Sequence, residues 1–209
     1  RKKLDLRFEA AIQEPPVIAM LPGSRGSEVK LSAPDFLMAA QIISEQKPGS
    51  CFIIPAANQK RHAQMAGLIK QHAPQLHIKL VMGESQTAML AADAVLVNSG
   101  TATLEAMLLR RPMVMSYRLG SLTYAVVSRI VSIKHFALPN ILANEKIVPE
   151  YLQSNATPEA LANALLELLE DDEHPELMKR FASIHADLKR SSGEVAATAI
   201  LTLCDKRVD

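Results

Sequence analysis

Ala94-Val95-Leu96-Val97-Asn98-Ser99-Gly100-Thr101-Ala102-Thr103-Leu104-Glu105 is the stretch on which the fold turns. Four apolar residues without alternation describe a strand covered on both faces, and Asn98-Ser99-Gly100 gives directly onto a helix-patterned run through Leu109. The same unit recurs outward from it. Val17-Ile18-Ala19-Met20-Leu21, Cys51-Phe52-Ile53-Ile54-Pro55 and His77-Ile78-Lys79-Leu80-Val81-Met82 precede it as strand-like runs, and after it Pro112 opens Met113-Val114-Met115-Ser116-Tyr117. Helical patterning fills the gaps: Phe36, Leu37, Ala40 and Ile43 after the first run, Gln59 to His72 after the second, Ser85 to Ala92 after the third, and Ser121 to Val131 after the last. This alternation predicts a Rossmann-like, doubly wound, mostly parallel α/β sheet of about six strands with helices on both faces.

Local signals set expected boundaries. Ser32 with Asp35 reads as a capping box opening the first helix, with Pro34 in its first turn where a missing N–H is harmless. From His135 to Gln153 the prolines of Leu138-Pro139-Asn140 and Val148-Pro149-Glu150 argue against a long regular element. Thr157-Pro158 caps a helix whose stripe is Leu161, Leu165, Leu168 and Leu169, and the last stretch, from Pro175 to Asp205, is expected to break near Ser191-Ser192-Gly193. Beyond that break Val195, Ala196, Ala199, Ile200 and Leu203 form an apolar stripe.

The 209 residues are 48% hydrophobic and 22% charged, an ordinary globular composition that is neither disordered nor fibrous. Their 23 Lys+Arg against 22 Asp+Glu, with no basic block interleaved with aromatics, disfavour a nucleic-acid partner. Cys51 and Cys204 form no C-x-x-C pair, and the six histidines show no metal-ligand spacing, so neither a disulfide framework nor a metal is expected. The chain reads as a reduced, intracellular protein. No run reaches the length of a membrane span, and Arg1-Lys2-Lys3-Leu4-Asp5 is too charged to introduce a signal peptide.

Two loops carry the candidate chemistry. Ser99 to Glu105 lies where a buried strand ends and a helix begins, at the carboxyl edge where open α/β sheets bind ligands. Two readings stand: a phosphate site using Gly100 and the hydroxyls of Ser99, Thr101 and Thr103 with Glu105 reaching a sugar diol, or a helix cap whose hydroxyls satisfy only local backbone. Gly23-Ser24-Arg25-Gly26 follows the first strand at the same edge and is either an arginine-bearing anion loop or a turn with a solvated arginine. Neither the G-x-G-x-x-G nor the P-loop spacing is present. The carboxyl ends of the two strands should put Ser24, Arg25 and Gly100 around one cleft.

Leu21-Pro22-Gly23-Ser24-Arg25 with Glu28, Ser99-Gly100-Thr101-Ala102-Thr103-Leu104-Glu105, Pro112-Met113-Val114 through Tyr117, Leu138-Pro139-Asn140 and Pro149-Glu150-Tyr151-Leu152-Gln153, in this order, resemble the lipid-A-disaccharide synthases, and specifically their carboxyl-terminal half. The resemblance runs from about Val17 onward.

It implies one half of a GT-B fold, whose inverting glycosyltransferases close two Rossmann-like domains over a cleft and need no cofactor and no metal. Residues 1–14 would then lead in from an absent amino-terminal half, 15–190 would form the nucleotide-sugar domain, and 191–209 a terminal crossover helix. The implied donor is UDP-2,3-diacylglucosamine and the acceptor an acylated glucosamine 1-phosphate reached through the other half, at the membrane surface. That is a cytoplasmic location peripheral to the inner membrane of a Gram-negative bacterium, and a homo-oligomer is compatible with it. By position, Ser24, Ser99, Gly100, Thr101 and Thr103 would hold the diphosphate, Glu105 the ribose, and Asn140, Glu150 and Gln153 would line the same cleft. Arg25 would be catalytic by offsetting charge on the leaving UDP, while the general base would lie outside this chain. Donor binding without turnover is therefore expected of these residues alone. The alternatives are a non-catalytic nucleotide-sugar-binding module and a UDP-sugar epimerase relative of the same fold.

Overall fold

The computed structural model describes residues 1–4, 6, 15–98, 100–118, 120, 134–171, 173–189 and 192–205, the last segment by backbone alone at 192–195 and 203–205. Six strands, β1 (Val17–Leu21), β2 (Cys51–Ala56), β3 (Ile78–Met82), β4 (Ala94–Asn98), β5 (Met113–Tyr117) and β6 (Glu150–Leu152), form one sheet in the order β3-β2-β1-β4-β5-β6. Every pairing is parallel, with Ile18 opposite Ala94 and Leu21 opposite Val97 across the central pair. The doubly wound architecture read from the sequence is the observed one.

The central strands are buried on both faces, which explains their uninterrupted apolar runs. Alternation survives inside them: Ile18, Met20 and Leu96 face one layer with Phe36, Phe52 and Leu165, while Val17, Ala19 and Val97 face the other with Met89, Met107 and Phe181. The first layer is covered by α1 (Gly26–Gln46), α2 (Gln59–His72) and, beyond β6, a helix over Pro158–Leu168. The second is covered by α3 (Ser85–Ala91), α4 (Thr101–Leu108) and a helix over Pro175–Leu188. With the short α5 (Leu138–Ala143) in between, these last two are α6 and α7, and α8 is Ser192–Asp205. Cys51 is a core residue of β2, and burial pushes its thiol pKa up.

One boundary differs from expectation. Helix α1 begins at Gly26, so Ser32 and Pro34 lie inside it, because Arg25 is the N-cap and Glu28 completes the capping box. The stretch from His135 to Gln153 holds no long regular element, as its prolines indicate, only α5 and the sixth strand, each too short to leave a periodic signature. Of the apolar stripe of α8, Ala196, Ala199 and Ile200 are exposed, while the side chains of Val195 and Leu203 lie outside the described residues. The break before α8 and the Thr157 cap of α6, which accepts from the Ala160 amide, stand as read. The Ser121 to Val131 helix lies outside the described residues.

At the amino edge, Leu4 is buried and Arg1 pairs with Asp93 at 2.6 Å. The other Asp93 oxygen accepts from the Val17 amide, so this carboxylate ties the first residues to the start of β1. Among the described residues no helix is long and apolar enough to cross a membrane.

Candidate functional site

In an open parallel sheet, the crevice forms where successive crossovers leave in opposite directions. Here β1 leads to β2 on one side while β4 leads to β5 on the other, so the switch point lies between β1 and β4. A cleft of about 600 Å³ opens there, lined by Gly23, Ser24, Arg25, Glu28, Asn98, Gly100, Thr101 and Glu105, with Ala56, Gly83 and Ser85 on its β2–β3 side. The two loops singled out in the sequence thus meet at one cleft.

The β1–α1 junction is closed by its own carboxylate. Glu28 Oε2 accepts from the amides of Ser24 at 3.0 Å and Arg25 at 3.1 Å, and Oε1 accepts from Arg25 Nη1 at 2.8 Å. Burial alone would raise the Glu28 pKa, but hydrogen bonds from the Arg25 amide, its guanidinium and the Ser24 amide, with the arginine charge, outweigh that and hold it below the usual range. Gly23, at φ +125°, lies so close that a Cβ would sit 2.5 Å from Glu28 Cβ. Only glycine fits there.

The β4–α4 junction is open. Gly100 is the N-cap at φ +123°, among the described residues no side chain caps the helix, and a Cβ at Gly100 would meet nothing within 4 Å. The leading amides and positive end of α4 therefore face the cleft, as anion sites on helix ends require. Thr101 and Glu105 line it; Ser99 lies outside the described residues. Arg25 is the one cation among the described lining residues, its side chain 81% exposed, against the carboxylates of Glu28 and Glu105.

Four expected contacts are elsewhere. Thr103 is fully buried; its hydroxyl donates to Gly100 O at 2.8 Å and accepts from the Leu138 amide at 3.2 Å, so it joins α4 to α5 beneath the cleft. Asn140 is also fully buried, and its carboxamide is spent internally: Nδ2 donates to Val148 O and Glu150 Oε1, and Oδ1 accepts from the Ile147 and Val148 amides. Glu150 Oε1 further accepts from the Phe136 and Ala137 amides. Together these two residues staple the loop between α5 and β6. Gln153, at φ +51°, follows β6 at the sheet's outer edge and does not line the cleft.

Asn98 opens the candidate stretch in the sequence but was given no role there. It ends β4 only 3% exposed, borders the cleft, and has a buried Oδ1 without a hydrogen-bond partner. A polar residue closing the all-apolar run Ala94–Val97 was the available signal.

A fully parallel sheet with a polar cleft at its switch point, one wall an arginine loop and the other a helix start, has the architecture of a Rossmann-like domain. Solved structures with this fold place it as one half of a GT-B glycosyltransferase fold. It matches the Escherichia coli ADP-heptose LPS heptosyltransferase II at TM-score 0.58 and 16% identity, over 82% of this chain and 50% of that one. It matches the spinosyn rhamnosyltransferase SpnG at 0.57 and 12%, over 91% and 46%. A UDP-GlcNAc 2-epimerase from Neisseria meningitidis bound to UDP-GlcNAc shares the fold at 0.54 and 15%, over 87% and 43%, so the fold alone does not separate transferase from epimerase.

Sequence does separate them. The family model for lipid-A-disaccharide synthetase matches residues 2–200, and the chain belongs to that family of glycosyltransferases. Lipid-A-disaccharide synthases from Pseudomonas putida KT2440 and Saccharophagus degradans are each 45% identical to it, over 96% and 92% of this chain. The chain spans about half the length of these relatives, 52% and 50%.

Proposed function

We propose that this chain is the donor-holding half of a lipid-A-disaccharide synthase and binds UDP-2,3-diacylglucosamine in the cleft between β1 and β4. The observation that carries this reading is the opposition of Arg25 to the uncapped start of α4 across one cleft at the switch point. The diphosphate would lie on the Gly100 and Thr101 side, where amides and the helix dipole favour negative charge. Glu105, about one turn into α4, would accept from the ribose hydroxyls, and Ser24 would contribute its hydroxyl from the opposite wall. Ser99 completes the set by sequence position.

In the reaction, a hydroxyl oxygen of the acylated glucosamine 1-phosphate attacks the anomeric carbon of the donor sugar. The bond from that carbon to the β-phosphate oxygen breaks, and its electron pair leaves on UDP. Arg25 faces the charge that develops there, which is electrostatic catalysis by a group placed before the reaction starts. The acceptor proton passes to a base in the second Rossmann-like domain that this reading requires, and residues 192–205, with Ile200 and Leu201 more than half exposed, would cross back to it. The intact enzyme would work at the cytoplasmic face of the inner membrane.

Isothermal calorimetry of this chain with UDP tests the reading. Saturable binding that Arg25→Ala weakens supports it; absence of UDP binding overturns it.

A further inference from the structure

We propose that Glu28 is a positioning residue of the donor site, whose carboxylate fixes the Arg25 guanidinium at the cleft mouth and directs the diphosphate to the open end of α4. The proposal rests on the donor reading above and adds a residue and a division of labour to it.

A carboxylate in a phosphate cleft needs a reason, because it repels the ligand. The geometry supplies one. A single carboxylate binds Arg25 twice, at its amide and at Nη1, and takes the Ser24 amide as well. An arginine side chain that is 81% exposed would otherwise exchange among many rotamers, and holding it would cost a ligand part of its binding energy. Bound to Oε1 through Nη1 alone, Arg25 keeps its remaining N–H donors for a phosphate oxygen.

The second consequence is exclusion. In many Rossmann-like domains the amides after β1 cradle a pyrophosphate, but here the Ser24 and Arg25 amides already have an anion, supplied by the protein. Gly23 lets that anion approach, since a Cβ there would meet Glu28 Cβ at 2.5 Å, Glu28 Oε2 at 2.7 Å and Asn98 Nδ2 at 3.3 Å. At the Gly100 junction no described residue supplies such a side chain. The buried Oδ1 of Asn98, without a hydrogen-bond partner among the described residues, stands between the two junctions, an independent sign that this end of β4 awaits a partner.

The test is a double-mutant cycle by calorimetry on the chain, with UDP and with uridine, for the parent, Glu28→Gln, Arg25→Ala and the double variant. Glu28→Gln is expected to weaken UDP about five- to tenfold, the scale of one ordinary hydrogen bond, with uridine changed less than about twofold and no further loss in the Arg25→Ala background. In the ligand-free chain, 15N relaxation at Arg25 Nε should show an ordered guanidinium in the parent and a mobile one in Glu28→Gln. Unchanged UDP affinity, or tighter UDP, overturns the proposal, the second outcome marking Glu28 as a competitor. Equal losses for UDP and uridine with a lowered melting point also overturn it, by showing mere structural support. Failure of the parent itself to bind UDP would instead bring down the donor reading.

Discussion

Two strand-to-helix junctions face each other across the cleft, built from similar glycine-containing loops, and they are finished in opposite ways. After β1, Glu28 fills the amides of Ser24 and Arg25 and leaves a guanidinium projecting. After β4, no described side chain caps α4, and the Thr103 hydroxyl is turned down toward Gly100 O and the Leu138 amide. One junction thus offers a side-chain cation and the other offers backbone and dipole. The difference teaches that a loop's anion-binding capacity is read from what already occupies its amides, not from its glycines.

Breaking this contrast at the glycines should give the largest effects. Both Gly23 and Gly100 have positive φ, so alanine at either is expected to cost about 1–3 kcal/mol. At Gly23 the new Cβ also meets Glu28, adding about 1–3 kcal/mol of overlap, whereas at Gly100 it enters open space. Thermal melts should therefore rank Gly23→Ala below Gly100→Ala, and a reversed rank would show the two junctions misassigned.

Next in size is Asn140→Ala. Removing a buried carboxamide that makes hydrogen bonds to Val148, Glu150 and Ile147 should cost about 3 kcal/mol, with UDP affinity of the folded fraction unchanged. A selective loss of UDP binding would return Asn140 to the cleft.

Arg25→Ala should weaken UDP about tenfold at low salt, with the deficit shrinking as salt rises, because screening already weakens the contact in the parent. Glu105→Ala should reduce discrimination between UDP and free diphosphate more than it reduces diphosphate binding. Equal losses for both ligands would refute a ribose role.

The smallest effect is on pH dependence, and two carboxylates of α1 should act in opposite directions. Glu28 is held below its ordinary 4.5, so its stabilisation is complete above that pH and is lost as pH falls through the lowered value. Asp35 is raised above its ordinary 3.8 by burial, which outweighs Arg118 nearby and is reinforced by Glu159. The folded state therefore holds its proton more tightly, and its contribution grows as pH falls toward 3.8. Acid melts of Glu28→Gln and Asp35→Asn should bend away from the parent in opposite senses.

The parts legible in the sequence were those set by repeated physics. Apolar runs marked the four buried strands β1, β2, β4 and β5, and glycines at strand ends marked the two loops of the cleft. What was not legible depended on where a side chain's hydrogen bonds go. Glu28 reaching back to Arg25 moved the start of α1 ahead of the stronger-looking Ser32 signal. Thr103, Asn140 and Glu150 are residue types suited to ligands, yet their polar atoms are used by the backbone around α5. Three-residue β6 has no period to detect and is defined by pairing with β5.

The most direct measurement is a UDP titration of the chain followed by amide and guanidinium NMR. The account predicts the largest shifts at the Gly100 and Thr101 amides and at Arg25 Nε, with the Ser24 and Arg25 amides nearly still because Glu28 keeps them. Large shifts at the Ser24 and Arg25 amides, with Gly100 and Thr101 unmoved, would contradict it.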